Sequence, residues 1–226
     1  MIFQNFYLNT IVILLVSYLI GSFPSAYIAG KIKGINVNKV GTRNLGGMNT
    51  YKNVGKPIGV IVTITDIGKG ALAAYLASRF SDHIFVPLLA VVFAMIGHNW
   101  MIYIGFKGGS GISTLSGGLL YLSPISFLFF HFLFTPIALF TTKDSYLSTA
   151  IGLFFFSFFL WVSEGFLRAP WLHGLGESYW WLIFGLLVTI TYSIKMHSTL
   201  KSYYTEKRRY VNPTVKKIFK PFFKGM

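Results

Sequence analysis

The chain has 226 residues, 54% hydrophobic and only 12% charged, with a formal net charge of +14 and no cysteine. A soluble domain carries about 25% charged residues, so the composition excludes an ordinary cytosolic fold and a disordered tail protein. Without cysteine there is no disulfide, thiol nucleophile, thiolate metal site or cysteine lipidation. The mean hydropathy of +0.60 points to an all-α polytopic membrane protein, with lipid as the solvent of its outer surface.

A membrane helix needs about 20 mostly apolar residues. Candidate spans run over 6–30, 57–78, 84–104, 111–123, 124–141, 146–163 and 178–195, giving about seven transmembrane helices. No Lys or Arg precedes Lys31, so 6–30 lacks the basic n-region of a signal peptide and reads as a retained membrane helix. The fourth segment, GISTLSGGLLYLS, is short for a full crossing and runs directly into Pro124. Segments four and five therefore form either two crossings or a re-entrant hairpin, which would leave five full spans.

The basic residues fix the orientation. Lys31, Lys33, Lys39, Arg43, Lys52 and Lys56 lie in the first loop, Lys107 and Lys143 in later loops on the same side, and nine more from Lys195 onward. The opposite side holds Arg79 and Arg168, and Lys69 lies within a span. The N-terminus is expected outside and the C-terminus in the cytoplasm. The charge is thus an orientation signal and an attraction for anionic headgroups, not a nucleic-acid footprint. Residues 1–200 read as one transmembrane helical domain and 201–226 as a basic cytoplasmic tail. In the tail, TVKKIFKPFFKGM interleaves lysines with Ile218, Phe219, Phe222 and Phe223, a pattern suited to a membrane surface or to a solvated basic end.

Polar residues concentrate on the cytoplasmic side. The stretch 41–52, GTRNLGGMNTYK, combines three glycines with Thr42, Arg43, Asn44, Asn49 and Lys52 and no carboxylate. Glycines let backbone N–H groups turn toward an oxyanion, and an arginine grips phosphate in a bidentate way. The segment reads as an anion site or as a flexible basic loop. The stretch 105–114, GFKGGSGIST, places Lys107, Gly108, Gly109, Ser110 and Gly111 before a helix start. That arrangement suits phosphate or tight helix packing; it is neither a Walker A loop nor a dinucleotide fingerprint. Asp66 and Lys69 lie in the second span, Asp66 ~14 Å along it at 1.5 Å per residue. Their spacing of three places them on one helical face, as a buried site or a bridge that braces one. His98 ends the third span, Ser145 and Ser148 follow the fifth, and His197 follows the last. No two histidines have metal-ligand spacing on one helix, so no metal is expected, and His83, His131 and His173 have no polar company in the sequence.

The order of motifs is more specific than any one of them. GSFPSAYIAGKIKGINVNKVGTRNLGGMNTYKNVGKPIG at 21–59, DIGKG at 66–70, GHNW and FKGGSGIST at 97–114, and a histidine after the last span resemble the bacterial acyl-phosphate:glycerol-3-phosphate acyltransferases, the PlsY family, over nearly the whole chain. The resemblance implies a seven-helix bundle in the cell membrane, with its site facing the cytoplasm. It implies transfer of a fatty acyl group from acyl phosphate to the 1-hydroxyl of glycerol 3-phosphate, giving lysophosphatidate and phosphate without cofactor or metal. Carried over by position, Thr42 stands for a family Ser, Asn44, Gly46 and Asn49 match, and Lys52 stands for an Arg. Asp66, Lys69, Lys107, Gly108, Gly109, Gly111 and His197 match, and Ser145 corresponds to the polar loop serine. Arg43 replaces a family Gly, Ser110 a Lys, Met196 an Arg and Leu200 an Asn. The resemblance assigns His197, Asn44 and Ser145 to catalysis. Thr42, Arg43, Gly46, Asn49, Lys52, Asp66, Lys69, His98, Lys107, Gly108, Gly109, Ser110 and Gly111 are assigned to substrate binding. The departures leave two alternatives open: a relative with a different acceptor or donor, and a non-catalytic protein that binds lipid phosphates.

Overall fold

The computed structural model describes residues 5–137, 145–168 and 179–207. Every regular element among them is helical: α1 (Phe6–Gly21), α2 (Ser25–Ile32), α3 (Gly47–Asn53), α4 (Lys56–Phe80), α5 (Phe85–Asn99), α6 (Ile112–Leu122), α7 (Pro124–Phe129), α8 (Ser145–Arg168) and α9 (Tyr179–Lys207), with short 3-10 turns at Val37–Lys39 and Ile102–Ile104. A π-helical turn, Phe130–Phe134, continues α7. By length and composition Phe6–Ile32, Lys56–Phe80 and Tyr179–Ser198 can cross a membrane alone, while Phe85–Asn99, Ile112–Leu122, Pro124–Ile137 and Ser148–Glu164 are shorter apolar helices.

The differences from the expected spans have local causes. The first span breaks at Ser22–Pro24 because Pro24 disfavours helical backbone at Phe23, and α2 restarts at Ser25. Segments four and five part at Ser123, whose hydroxyl accepts from the Ser126 N–H as α7 begins. The last helix runs past residue 200 to Lys207; the tail from 208 onward, like Lys143, lies outside the described residues.

Small residues set the helix spacing. A Cβ on Gly70 of α4 would sit 1.7 Å from the Thr114 carbonyl oxygen of α6, and one on Gly117 would sit 1.8 Å from that of Ile67. Likewise, a Cβ on Gly21 would meet the Ala94 carbonyl oxygen at 1.9 Å, and one on Gly97 that of Tyr18 at 2.1 Å. These α4–α6 and α1–α5 contacts bring backbones together as lipid-embedded helices require. Leu88, Val91, Met95, Leu115, Leu119, Phe130, Phe156, Leu160, Trp181 and Phe184 fill the core beside them. Ile11, Leu15, Ile61, Ile64, Phe132, Phe155, Val162 and Ile194 are exposed, an apolar outer surface suited to acyl chains.

The two ends of the bundle differ. At one, Phe6 packs edge-on against His83 and Phe85, and Phe85 lies against Trp180, the aromatic composition of a membrane interface. Away from the other end, buried Glu164 of α8 accepts from the hydroxyls of Ser123 and of Ser126, the latter at 3.1 Å, tying α8 to the break between α6 and α7. His131 does have polar company: its Nε2 lies 3.1 Å from the Ser116 hydroxyl.

The α4–α6 contact is testable. Gly117→Leu is expected to lower the thermal midpoint in detergent by about 5–10 °C through overpacking. Gly68→Leu, where a Cβ meets nothing within 4 Å, is expected to leave it unchanged.

Candidate functional site

The site is built around the carboxyl end of α5. The last carbonyls of a helix lack intrahelical partners, and in a membrane each orphan is costly. Here each has a partner from another element. The Gly97 carbonyl accepts from the Ser22 hydroxyl at 3.3 Å. That of His98 accepts from the Gly109 N–H at 3.0 Å. The Lys195 ammonium donates to that of Asn99 at 2.6 Å, and the Tyr18 hydroxyl to that of Trp100 at 2.8 Å. The end of α1, the 105–111 turn and α9 are thereby fastened to one point.

The turn itself is shaped by glycines. Met101 and Lys107 pair as an isolated antiparallel bridge. A Cβ on Gly108 would lie 2.2 Å from the His98 carbonyl oxygen and 2.4 Å from that of Asn99. One on Gly109 would lie 2.0 Å from His98 Nε2 and 2.8 Å from the Leu45 carbonyl oxygen. The two glycine-rich stretches therefore touch through Leu45 and Gly109. Gly111, at φ +80°, turns the chain into α6.

Beneath the turn lies a buried charged cluster. Lys69 Nζ is 2.6 Å from Asp66 Oδ1, and the Ser25 hydroxyl donates to the same oxygen at 2.6 Å. His98 Nδ1 stands 3.7 Å from it. Asp66 is 0% and Lys69 5% exposed, so this pair is a brace under the site, not a surface contact. The break at Pro24 is what delivers Ser25 to Asp66. Among the described residues, buried side-chain polar atoms without a hydrogen-bond partner are Asn44 Oδ1, Asp66 Oδ2, His98 Nδ1, both amide atoms of Asn99 and Thr114 Oγ1. All belong to the 41–46 loop, the Asp66 cluster, the end of α5 or the start of α6.

The first loop is ordered by Asn49. Its Oδ1 accepts from the Thr42 N–H at 3.0 Å, and its Nδ2 donates to the carbonyls of Val37 and Val40, each at 3.2 Å. Its amide thus braces the loop from within. Gly46 caps α3 and its carbonyl accepts from the Thr50 hydroxyl. Arg43 adopts φ +60°, the left-handed conformation that a glycine takes without cost and that other residues adopt at about 1–2 kcal/mol.

Thus Asp66, Lys69, His98, Gly108, Gly109 and Gly111 come together, and Leu45, next to Asn44 in the chain, brings the first loop against Gly109. Lys52 and Lys107 are exposed and Ser110 is half-buried near the turn. His197 is exposed; two residues on from buried Lys195, it lies about 200° round α9 at 3.6 residues per turn. The side chains of Ser145 and Leu200 lie outside the described residues. Three contributors escape the motif reading: Ser25, Asn99 and Lys195. Lys195 carried a readable signal, a cation continuing the buried stripe Trp181, Phe184, Val188 and Tyr192.

Breaking a buried pair leaves one charge uncompensated. Asp66→Ala is expected to lose about 3–5 kcal/mol in detergent-solubilised unfolding. The double change Asp66→Leu with Lys69→Leu is expected to lose less.

Known proteins resemble this chain over most of its length. The profile of the glycerol-3-phosphate acyltransferase family matches residues 11–205. Glycerol-3-phosphate acyltransferase 2 of Dehalococcoides mccartyi is 35% identical over 190 residues, covering 83% of each chain. The glycerol-3-phosphate acyltransferase of Bacillus cytotoxicus is 43% identical over 143 residues, covering 63% of this chain and 71% of that one. The crystal structure of PlsY, an integral membrane glycerol 3-phosphate acyltransferase, in its glycerol 3-phosphate form superposes with a TM-score of 0.70 at 24% identity, over 87% of this chain and 92% of that one. This chain, with its helical bundle and glycine turn, belongs to the glycerol-3-phosphate acyltransferase family, of the PlsY type.

Proposed function

We propose that the protein is an integral membrane acyltransferase that moves a fatty acyl group from acyl phosphate to the 1-hydroxyl of glycerol 3-phosphate, releasing lysophosphatidate and inorganic phosphate. The observation that carries this reading is the meeting of two carboxylate-free, glycine-rich basic stretches at Leu45 and Gly109, above the buried Asp66–Lys69 brace. Both substrates bring a phosphate, and two adjoining anion sites match that need.

In this reading seven helical passes lie in the cell membrane, N-terminus outside and C-terminus cytoplasmic. The supporting pattern is the gathering of the basic 31–56 loop, Lys107 and the end of α9 at one end of the bundle, with the aromatic cluster at the other. The site faces the cytoplasm, where glycerol 3-phosphate is dissolved, and the acyl chain stays in lipid. Residues 1–200 form the membrane domain and 201–226 a basic tail on the membrane surface.

Arg43, Asn44 and the backbone of 42–47 hold the donor phosphate. Lys107, the 108–111 turn and His197 hold glycerol 3-phosphate. The same donors stabilise the charge that develops on the acyl carbonyl oxygen, and holding both substrates side by side supplies much of the rate. The 1-hydroxyl oxygen bonds to the acyl carbon, the acyl–oxygen bond to phosphorus-bound oxygen breaks, and phosphate leaves. The hydroxyl proton passes to His197 or to an oxygen of the phosphate; a His197→Ala pH profile that keeps its acid limb assigns it to the phosphate.

Arg43 supplies the positive charge next to a turn whose own central position is Ser110. At φ +60°, Arg43→Gly removes that charge and relieves the backbone together. The variant is expected to be at least as stable as the wild type, yet to transfer about 10–100-fold more slowly, from the ~1.5–3 kcal/mol of a charged hydrogen bond.

The direct assay uses purified protein in lipid with palmitoyl phosphate and labelled glycerol 3-phosphate, and palmitoyl-CoA as the control donor. Lysophosphatidate formed only from the acyl phosphate is the expected result. Folded protein that yields no product with this or other acceptors overturns the reading in favour of a non-catalytic lipid-phosphate-binding protein.

A further inference from the structure

Lys195 is the cation that α9 brings to the site. It is 7% exposed, its ammonium lies 5.6 Å from the centroid of the Trp100 ring, and it donates to the Asn99 carbonyl at 2.6 Å. Burying an ammonium costs several kcal/mol, and an apolar side chain would continue the Trp181–Tyr192 stripe without that cost. A mere tie between two helices does not require a full charge. What the charge lies behind is the turn at 107–111. Gly108 rests on the carbonyls of His98 and Asn99 together, and Gly109 donates to that of His98. Lys195 grips the other carbonyl of this pair. It therefore fixes the platform on which the turn lies, neutralises the negative end of the α5 dipole there, and sets a positive charge beneath the turn's backbone donors.

We propose that Lys195 is a positioning residue for the phosphate of the acceptor, acting through the Asn99 carbonyl on the 107–111 turn. The proposal rests on the acyltransferase reading above and adds a residue to it. His197 is exposed on a different face of α9, so the role assigned to Lys195 is independent of it.

The test varies each substrate separately on the full chain in lipid. Lys195→Met is expected to raise the KM for glycerol 3-phosphate about tenfold or more, the worth of ~1.4 kcal/mol. The KM for palmitoyl phosphate should move less than about twofold, and Lys195→Arg, which keeps charge and donor, should return the acceptor KM to within about threefold of the wild type. A purely structural tie would weaken both substrates alike and lower the thermal midpoint. Equal changes in both KM values, no change in either, or an arginine variant as impaired as the methionine variant would each overturn the proposal. Should Lys195→Met fail to fold, Lys195→Gln keeps a donor without the charge, and the same rise in the acceptor KM alone is expected of it. If the wild type transfers no acyl group, the acyltransferase reading fails on its own, and Lys195 is judged by binding. Glycerol 3-phosphate should then raise the unfolding midpoint of the wild type and not of Lys195→Gln; a rise in both, or in neither, overturns it.

Discussion

A helix that ends inside a membrane protein leaves carbonyl oxygens that water cannot reach. The rest of this structure depends on how α5 meets that constraint. The carbonyls of Gly97, His98, Asn99 and Trp100 take their donors from Ser22, Gly109, Lys195 and Tyr18. Each donor belongs to a different part of the chain from α5 itself. Satisfying one helix end thus assembles α1, the glycine turn and α9 at a single place. The energetics of the backbone and the geometry of the 105–111 turn share one set of hydrogen bonds, so a change in any donor reaches the turn.

The polar atoms left without partners follow the same logic. A folded protein pairs nearly all its buried polar groups. The exceptions among the described residues gather beside this hub: Asn44, Asp66, His98, Asn99 and Thr114. Asp66 and Lys69 bring a charge pair into the same region, with Ser25 sharing the carboxylate. Far from it, Glu164 has two serine hydroxyls on its carboxylate, and in the first loop Asn49 has its amide engaged at both ends. The bundle is well satisfied elsewhere and less so around the carboxyl end of α5.

Much of the architecture was legible in the sequence because lipid leaves few choices. Long apolar runs must be helices there, and every regular element among the described residues is helical. The glycine stretches read either as anion sites or as a loop and a packing turn, and they meet through Leu45 and Gly109. The Asp66–Lys69 spacing foretold a shared helical face. Other features depended on distant parts of the chain. Nothing local says that Asn49 braces its own loop, since asparagine serves equally as ligand donor or loop support. The role of Ser25 required knowing that the break at Pro24 swings α2 toward α4. Lys195 was readable as a cation on a buried stripe, but its partner, a main-chain carbonyl, has no sequence signature. Arg43 shows the reverse case: the resemblance puts a glycine at this position, and the backbone keeps a glycine-like φ of +60° with an arginine in place.

The proposed function rests on an anion site that the carboxyl end of α5 organises at the 107–111 turn. The most direct measurement is an experimental structure of the protein with glycerol 3-phosphate bound in lipid. The phosphate is expected within hydrogen-bonding distance of the backbone N–H groups of that turn, with Lys195 still on the Asn99 carbonyl behind it. A phosphate held elsewhere in the bundle, with the turn empty, would contradict it.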